Sequence, residues 1–539
     1  MESWMRALLL ASLLIAAAPS LAAPSGLSRE GERWLSHVKV LADDKMEGRL
    51  TGTPGYDRAA AYVADQFRKL RLTPAGNDGF LQLVPLKEQS IDLAASHLAL
   101  VDASGERALK MAEEVLLSAR VPQLADIDAP LVFAGYGLHL PEAGHDDFAG
   151  LDLKGKVVVI LPGGPRALSG ALKAHARSAE LWPALQKAGA VGVITLPNPS
   201  SMDVPWERQK LFAATPGMRF ADPALNDARQ RYLTATINPA VADLLFEGTG
   251  KSFAELVALA DQGALLPRFE LKRRVVGHVA ASDHELTAPN VVALLPGSDP
   301  KLKAEIVVLT AHLDHIGVGN PVDGDAIYNG AMDNASGIAS MLEAARTLKA
   351  KKPKRSVLFV AVTGEERGLL GSRYFANRPS VDPTGFVANI NMDMFLPLWP
   401  FTHVTALGAE DSSLGPISAD VAQSFGARQV PDAQPDRNLF VRSDQYSFVR
   451  TGVPALALKF AAISPEERQI EKEWLTKRYH APSDDLNQPI NPAYAAAFNR
   501  YLGKLILTVA NLPARPTWNA DSFFARFAPK GAVAPAAAH

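Results

Sequence analysis

The chain is 539 residues long, 47% hydrophobic and 21% charged, with a formal net charge of -2. That length exceeds one simple core and predicts roughly two or three domains. The near-neutral charge excludes an electrostatic footprint for nucleic acid or an anionic membrane surface. Cysteine is absent, which excludes thiol catalysis, cysteine zinc sites and lipidation at an N-terminal cysteine.

Arg6 precedes an apolar run, Ala7 to Ala18, and small residues at Ser20 and Ala22 suit cleavage after Ala22. This reads as a secretory signal peptide over 1–22, shorter than the ~18 apolar residues a bilayer span needs. An exported chain of this size without disulfides points to a bacterial periplasm or medium. No later segment is long and apolar enough to cross a membrane. Residues 27–75 read as helical, with Ala61, Val63, Phe67 and Leu70 near helical spacing. Residues 81–118 read as short strands with a turn at Ala103-Ser104-Gly105.

From about 120 to 270 the texture changes. Strands are expected at 132–137, 156–161 and 189–196, and a short helix at 181–187. His139, His145 and His175 stand singly there. Without a cluster of metal-ligand types, this stretch is expected to be an accessory domain apart from the chemistry. From about 287 to 515 strands and helices alternate. Strands are expected at 305–310, 356–362, 386–390 and 454–458, with a helix over 336–349 capped by Asn334 or Ser336. Near-continuous apolar strands alternating with helices predict a mostly parallel mixed sheet covered by helices on both faces, an α/β class. The Ala- and Pro-rich end after about 525 is expected to be disordered.

Five short segments carry the chemistry: Ala311-His312-Leu313-Asp314-His315, Met332-Asp333-Asn334, Glu365-Glu366, Met392-Asp393-Met394 and Tyr479-His480. His312, Glu365-Glu366 and Asp393 end or follow predicted strands, and Asp333 precedes the predicted helix. In open α/β sheets ligands collect beyond the carboxyl ends of strands, so these residues are expected to form one site. Histidine nitrogen and carboxylate oxygen are the donors zinc takes. Two zinc ions ~3.5–4 Å apart need a shared ligand, which one carboxylate supplies. Asp333 is the expected bridge. One ion takes His312, Asp333 and Asp393; the other takes Asp333, Glu366 and His480. Glu365 is left to handle the proton of the bridging water, and Asp314 is expected to hold the second nitrogen of His312. The helical His-Glu metalloprotease motif, the nucleophile elbow and the phosphate-binding glycine loop are all missing.

Together these segments resemble the M28 family of zinc exopeptidases, in particular the aminopeptidase branch with an inserted protease-associated domain. The resemblance covers about 40 to 510. It includes the stretch from Met46 to Gly55, the loop Ser443-Asp444-Gln445-Tyr446-Ser447-Phe448, and Gly452-Val453-Pro454. Phe133-Ala134-Gly135-Tyr136-Gly137 and the run Asp147 to Val157 are similar to a protease-associated domain. The resemblance implies five metal ligands, His312, Asp333, Glu366, Asp393 and His480, with Glu365 as catalytic base. A histidine is common in the family where Gln445 stands. Tyr446 and Tyr479 are candidates for stabilising an oxyanion.

The expected organisation is a signal peptide (1–22), the N-terminal part of the catalytic domain (23–119), a protease-associated domain (120–270), the main catalytic domain (271–515) and a tail (516–539). The expected function is an exported aminopeptidase with two Zn2+ per chain, acting on peptides with a free N-terminus. Three alternatives stand beside it. One is a carboxypeptidase of the same family, for which Arg437 and Arg442 are placed. The others are a glutaminyl cyclase-like acyltransferase and a non-catalytic receptor-like protein.

Overall fold

Runs such as Ile306–His312, Ser356–Val362 and Phe386–Met392 are buried at every position. A strand buried on both faces belongs in the middle of a covered sheet, and that is where the computed structural model places all three. The structure describes residues 28–202, 204–529 and 531–533; the predicted leader lies outside them.

Among the described residues the larger sheet has ten strands. Its principal strands are β1 (Leu81–Ile91), β2 (Gly217–Phe220), β3 (Ala281–Leu295), β4 (Ile306–His312), β5 (Ser356–Val362), β6 (Phe386–Met392), β7 (His403–Leu407) and β8 (Ala455–Phe460). Their spatial order is β2-β1-β3-β5-β4-β6-β8-β7. The four central strands β5, β4, β6 and β8 run parallel. The wings are antiparallel: β3 pairs with β5, β1 with β3, β2 with β1, and β7 with β8. The sheet is therefore mixed, and parallel only at its centre. The wing strands pair antiparallel with partners far away in sequence, so no local β–α alternation marks them.

Helices cover both faces. In chain order they include α1 (Arg29–Leu41), α2 (Pro54–Lys69), α3 (Ser336–Lys351), α4 (Leu370–Asn377), α5 (Gln445–Val449), α6 (Pro465–Lys477) and α7 (Pro492–Ala510). Val307, Leu309 and Ala311 of β4 pack with Trp34, Ile338 and Leu505. Val308 and the β5 residues Leu358 and Val360 pack on the opposite face with Phe375 and Phe448. Trp34 also donates its indole N–H to the Ser340 hydroxyl at 3.0 Å, locking α1 against α3.

A second sheet of eight strands has its own apolar core. It runs from His97–Asp102 to Arg268–His278, so it begins well before residue 120 and extends past 270. From within the expected accessory stretch, β2 leaves to pair with β1 of the larger sheet. Short strands carry no mark of which sheet they join, because the pairing partner lies far away in sequence. After 515 the described residues end at 529 and 531–533, much of the stretch expected to be disordered lies outside them, and residues 518–527 are packed. Trp518 is fully buried, its indole N–H donates to the Gly452 carbonyl at 2.9 Å, and Phe523–Phe527 forms a short helix with Phe524 in a core cluster. Trp518 and Phe524 supply the buried apolar area that holds this part of the chain. Among the described residues no helix is long and apolar enough to cross a membrane.

Candidate metal centre

The carboxyl ends of β4, β5 and β6 are adjacent, so whatever follows each strand meets at one edge. His312 closes β4, Glu365 and Glu366 lie three and four residues past β5, and Asp393 follows β6 directly. Asp333 sits on an irregular turn before α3, with φ -110° and ψ 86°. That turn is held from three sides. Gly330 stands at φ 59°, where a Cβ would lie 2.2 Å from the Asp333 carbonyl oxygen and 2.6 Å from the His315 ring. Asp484 accepts from the backbone N–H groups of Met332 (2.9 Å) and Asp333 (3.0 Å). Asn334 donates to the Met392 carbonyl and accepts from Gly337 N at 3.1 Å. Asn334 is therefore the side chain that serves the start of α3; the Ser336 hydroxyl donates back to the Met332 carbonyl.

The donor atoms converge. His312 Nε2 lies 3.2 Å from Asp333 Oδ1 and 3.4 Å from Asp393 Oδ1. His480 Nε2 lies 3.4 Å from Asp333 Oδ2 and 3.2 Å from Glu366 Oε2. Both oxygens of Asp333 thus face an imidazole, one toward each group of donors. The residue that sequence reading did not assign is His315. It is fully buried, with Nδ1 2.9 Å from Glu366 Oε1 and 3.8 Å from Asp333 Oδ2. Its proximity to His312 in the same short segment was the available signal. Ligand atoms of His312, Asp333 and Asp393, and separately of His315, Asp333 and Glu366, lie within 4.8 Å of one another.

Asp314 is placed differently from expectation. The partner of His312 Nδ1 is the Asp314 backbone carbonyl at 3.1 Å; the carboxylate is 4.0 Å away. Its two oxygens instead accept the backbone N–H groups of Glu365 (3.1 Å) and Glu366 (3.3 Å). Thr51 adds a third hold, accepting from Gly364 N at 2.9 Å. Asp314 therefore fixes the loop that carries both glutamates. Beneath the site, fully buried Arg49 donates to the carbonyls of Leu313, Asn329 and Gly330. Burial pulls its pKa down to about 10 against the opposing pull of Asp484, Asp333 and Asp314. The stretch from Met46 to Gly55 thus builds the back of the centre.

The electrostatics are those of crowded anions. Burial alone would lower His312, yet hydrogen bonds to Asp333 and Asp393 raise it well above its ordinary value. Burial likewise opposes a charged His480, but Glu366 and Asp333 raise it to about 10. Burial raises Asp314 to about 6. Glu365 is pushed well above the carboxylate range by burial, with Asp393 and Glu366 adding to it. Its carboxyl faces the cavity and makes no hydrogen bond or ion pair with any described residue. So many buried carboxyl groups need cations for charge balance. Imidazole and carboxylate donors clustered at this spacing fit borderline divalent ions such as zinc.

A cavity of about 430 Å3 opens from this centre. Thr405 and Leu407 of β7 and Ala457 and Lys459 of β8 line it, with Glu471 and Leu475 of α6 facing them. Tyr479 also lines it, stacked on His480 at 3.8 Å between ring centroids. Burial holds the Tyr479 phenol well above its ordinary pKa, hence as a hydrogen-bond donor. Tyr446 is turned away: its hydroxyl lies 2.8 Å from His175 Nδ1, and an oxyanion role for it is excluded by that position. Gln445 bridges Asn391 Nδ2 (2.8 Å) and the Phe440 carbonyl (2.6 Å). A second cavity of about 1010 Å3 adjoins the first at Tyr479 and His480. It is walled on one side by Met202, Val204, Pro205 and Phe212.

Residues 290–506 match Peptidase family M28. A probable zinc metalloprotease of Pyrenophora tritici-repentis (strain Pt-1C-BFP) is 28% identical over 256 residues, covering 42% of this chain and 58% of that protein. Aminopeptidase YwaD of Bacillus subtilis (strain 168) is 28% identical over 204 residues, covering 37% of this chain and 40% of its own length. The chain thus spans about half the length of the curated relatives it matches. The solved structure of an aminopeptidase from Aneurinibacillus sp. strain AM-1 shares the fold, with a TM-score of 0.53 and 21% identity over 90% of this chain and 95% of that one.

Proposed function

We propose that this chain, whose residues 290–506 are an M28 peptidase domain, is a zinc-dependent aminopeptidase that removes N-terminal residues from peptides. The observation that carries the reading is Asp333, whose two oxygens face His312 and His480 while Glu365 is left unengaged on the cavity wall. His312, Asp333 and Asp393 would hold one zinc ion; Asp333, Glu366 and His480 would hold a second. Bound there, zinc supplies polarisation of the scissile carbonyl and acidification of water.

The chain's own groups do the rest. Glu365, its carboxyl on the cavity wall and unengaged by its neighbours, accepts a proton from water on its carboxylate and returns it to the leaving amine. Asp314 keeps Glu365 aimed into the cavity through the two backbone N–H groups it receives. His315 holds Glu366 by one oxygen and leaves the other toward His480. Asp393 and Glu366, which line the cavity at the metal centre, attract the substrate's α-ammonium group. Tyr479 is placed to donate to a developing oxyanion. Met202, Val204, Pro205 and Phe212 wall the path beyond His480, which supports their region as a limit on peptide length. The apolar run after Arg6 supports export to a periplasm or medium.

A carboxypeptidase is the second reading, favoured by the presence of Arg437, Arg442 and Lys459 on the cavity wall. The test is a panel of free and N-blocked peptides, assayed with chelator and after zinc restoration. Cleavage confined to free N-termini, lost with chelator and restored by zinc, supports the aminopeptidase. Cleavage of N-blocked peptides from a free C-terminus overturns it.

A further inference from the structure

Lys459 is the charged residue on a floor otherwise made of Thr405, Leu407 and Ala457. Strand β8 alternates, so Ala457 and Lys459 share one face, and Thr405 of β7 lies opposite Lys459. Met392 pairs with Leu458, which sets Lys459 alongside Asp393, one strand away. A half-buried ammonium normally has a close anionic partner. The Lys459 ammonium has no hydrogen bond and no ion pair within 4.0 Å among the described residues. The acidic groups that sense it are Asp393, which belongs to the metal-candidate set, and Glu471 across the cavity. Glu471 is shared with Arg437. Outside the metal-candidate set, the wall carries Arg437, Arg442, Lys459 and Arg468 together with Glu365, Asp432 and Glu471.

Resting on the aminopeptidase reading, we infer that the cavity selects substrates bearing a carboxylate, which Lys459 receives. The carboxylate comes from an N-terminal glutamate or aspartate side chain, or from the free C-terminus of a very short peptide. The strand-end position of Lys459 puts the recognised charge within one residue's reach of the metal centre, and that makes it a specificity residue rather than a distant steering charge.

The experiment compares the zinc-loaded enzyme on aminoacyl substrates with Glu or Gln at the N-terminus, which differ only in charge, and on Leu dipeptides with free or amidated C-termini. A charge-assisted hydrogen bond commands a discrimination of about 10- to 100-fold in kcat/KM. The wild type is expected to prefer one charged member of these pairs by that factor. Lys459→Met should bring the ratio to about 1, and rising salt should erode it in the wild type. Which pair responds identifies the source of the carboxylate. Equal rates for charged and neutral members in the wild type overturn the inference. So does a Lys459→Met variant that loses zinc and slows on both members alike, which would make Lys459 only a counter-charge for Asp393. Lys459-dependent cleavage restricted to N-blocked peptides with a free C-terminus would instead overturn the aminopeptidase reading and keep the carboxylate.

Discussion

Asp314→Asn separates two roles that the same residue type can play. If the carboxylate oriented His312, its loss would weaken zinc binding by about 10- to 100-fold, as loss of a ligand's hydrogen-bond partner does. The structure assigns that duty to the Asp314 backbone carbonyl, which the substitution keeps. The carboxylate instead accepts from Glu365 N at 3.1 Å and Glu366 N at 3.3 Å. Asparagine supplies one oxygen and one NH2, so one of these N–H groups then faces a donor. A hydrogen bond to a charged acceptor is worth about 1.5–3 kcal/mol, so displacing Glu365 by this amount corresponds to a fall in kcat of about 10- to 150-fold. The assay is kcat at saturating zinc beside a zinc titration. The expected result is a large fall in kcat with zinc affinity reduced less than about tenfold. A variant whose kcat returns to the wild-type value once zinc is saturating would refute the assignment.

Three other outcomes follow from the same geometry. Because carboxylates outweigh burial and hold His480 protonated up to about 10, and His312 well above its ordinary value, zinc must displace protons. Zinc affinity should rise with pH through the neutral range and binding should release protons, which calorimetry in buffers of different ionisation enthalpy measures; zinc uptake without proton release contradicts this. Trp518→Ala removes a fully buried indole and its hydrogen bond to Gly452, and should cost about 3–5 kcal/mol in denaturant unfolding; a loss below about 1 kcal/mol would mean the terminal segment is not part of the core. Asp484→Asn should weaken zinc binding, since one of the backbone N–H groups of Met332 and Asp333 loses its acceptor; unchanged zinc affinity would show that the turn holds itself.

What the sequence made legible is the chemistry and the middle of the larger sheet. His312, Glu365, Glu366 and Asp393 could be placed together because the strands before them are largely apolar runs and parallel strands deliver their carboxyl ends to one edge, whereas Asp333 precedes a helix and His480 follows one. The wings were not legible, since β1 and β3 pair antiparallel over long distances that no local pattern encodes. The same reason hid the start of the second sheet at His97 and the return of β2 to the larger one. Asp314 was recognised as important but given the wrong partner, because spacing along the chain cannot tell a backbone carbonyl from a carboxylate. Arg49 and Asp484 act on backbone groups far away in sequence, and nothing in their immediate neighbours announces that. His315 stood in plain view, yet with His480 already supplying an imidazole for the second group of donors, composition gave no reason to assign it.

The central claim is that Glu365 moves protons while its neighbour Glu366 holds metal. Its most direct test is the zinc content and turnover number of Glu365→Gln. The account predicts a zinc content equal to that of the wild type, with kcat lowered about 10^2- to 10^4-fold. A variant that loses zinc in proportion to its activity, or one that turns over at the wild-type rate, would contradict it.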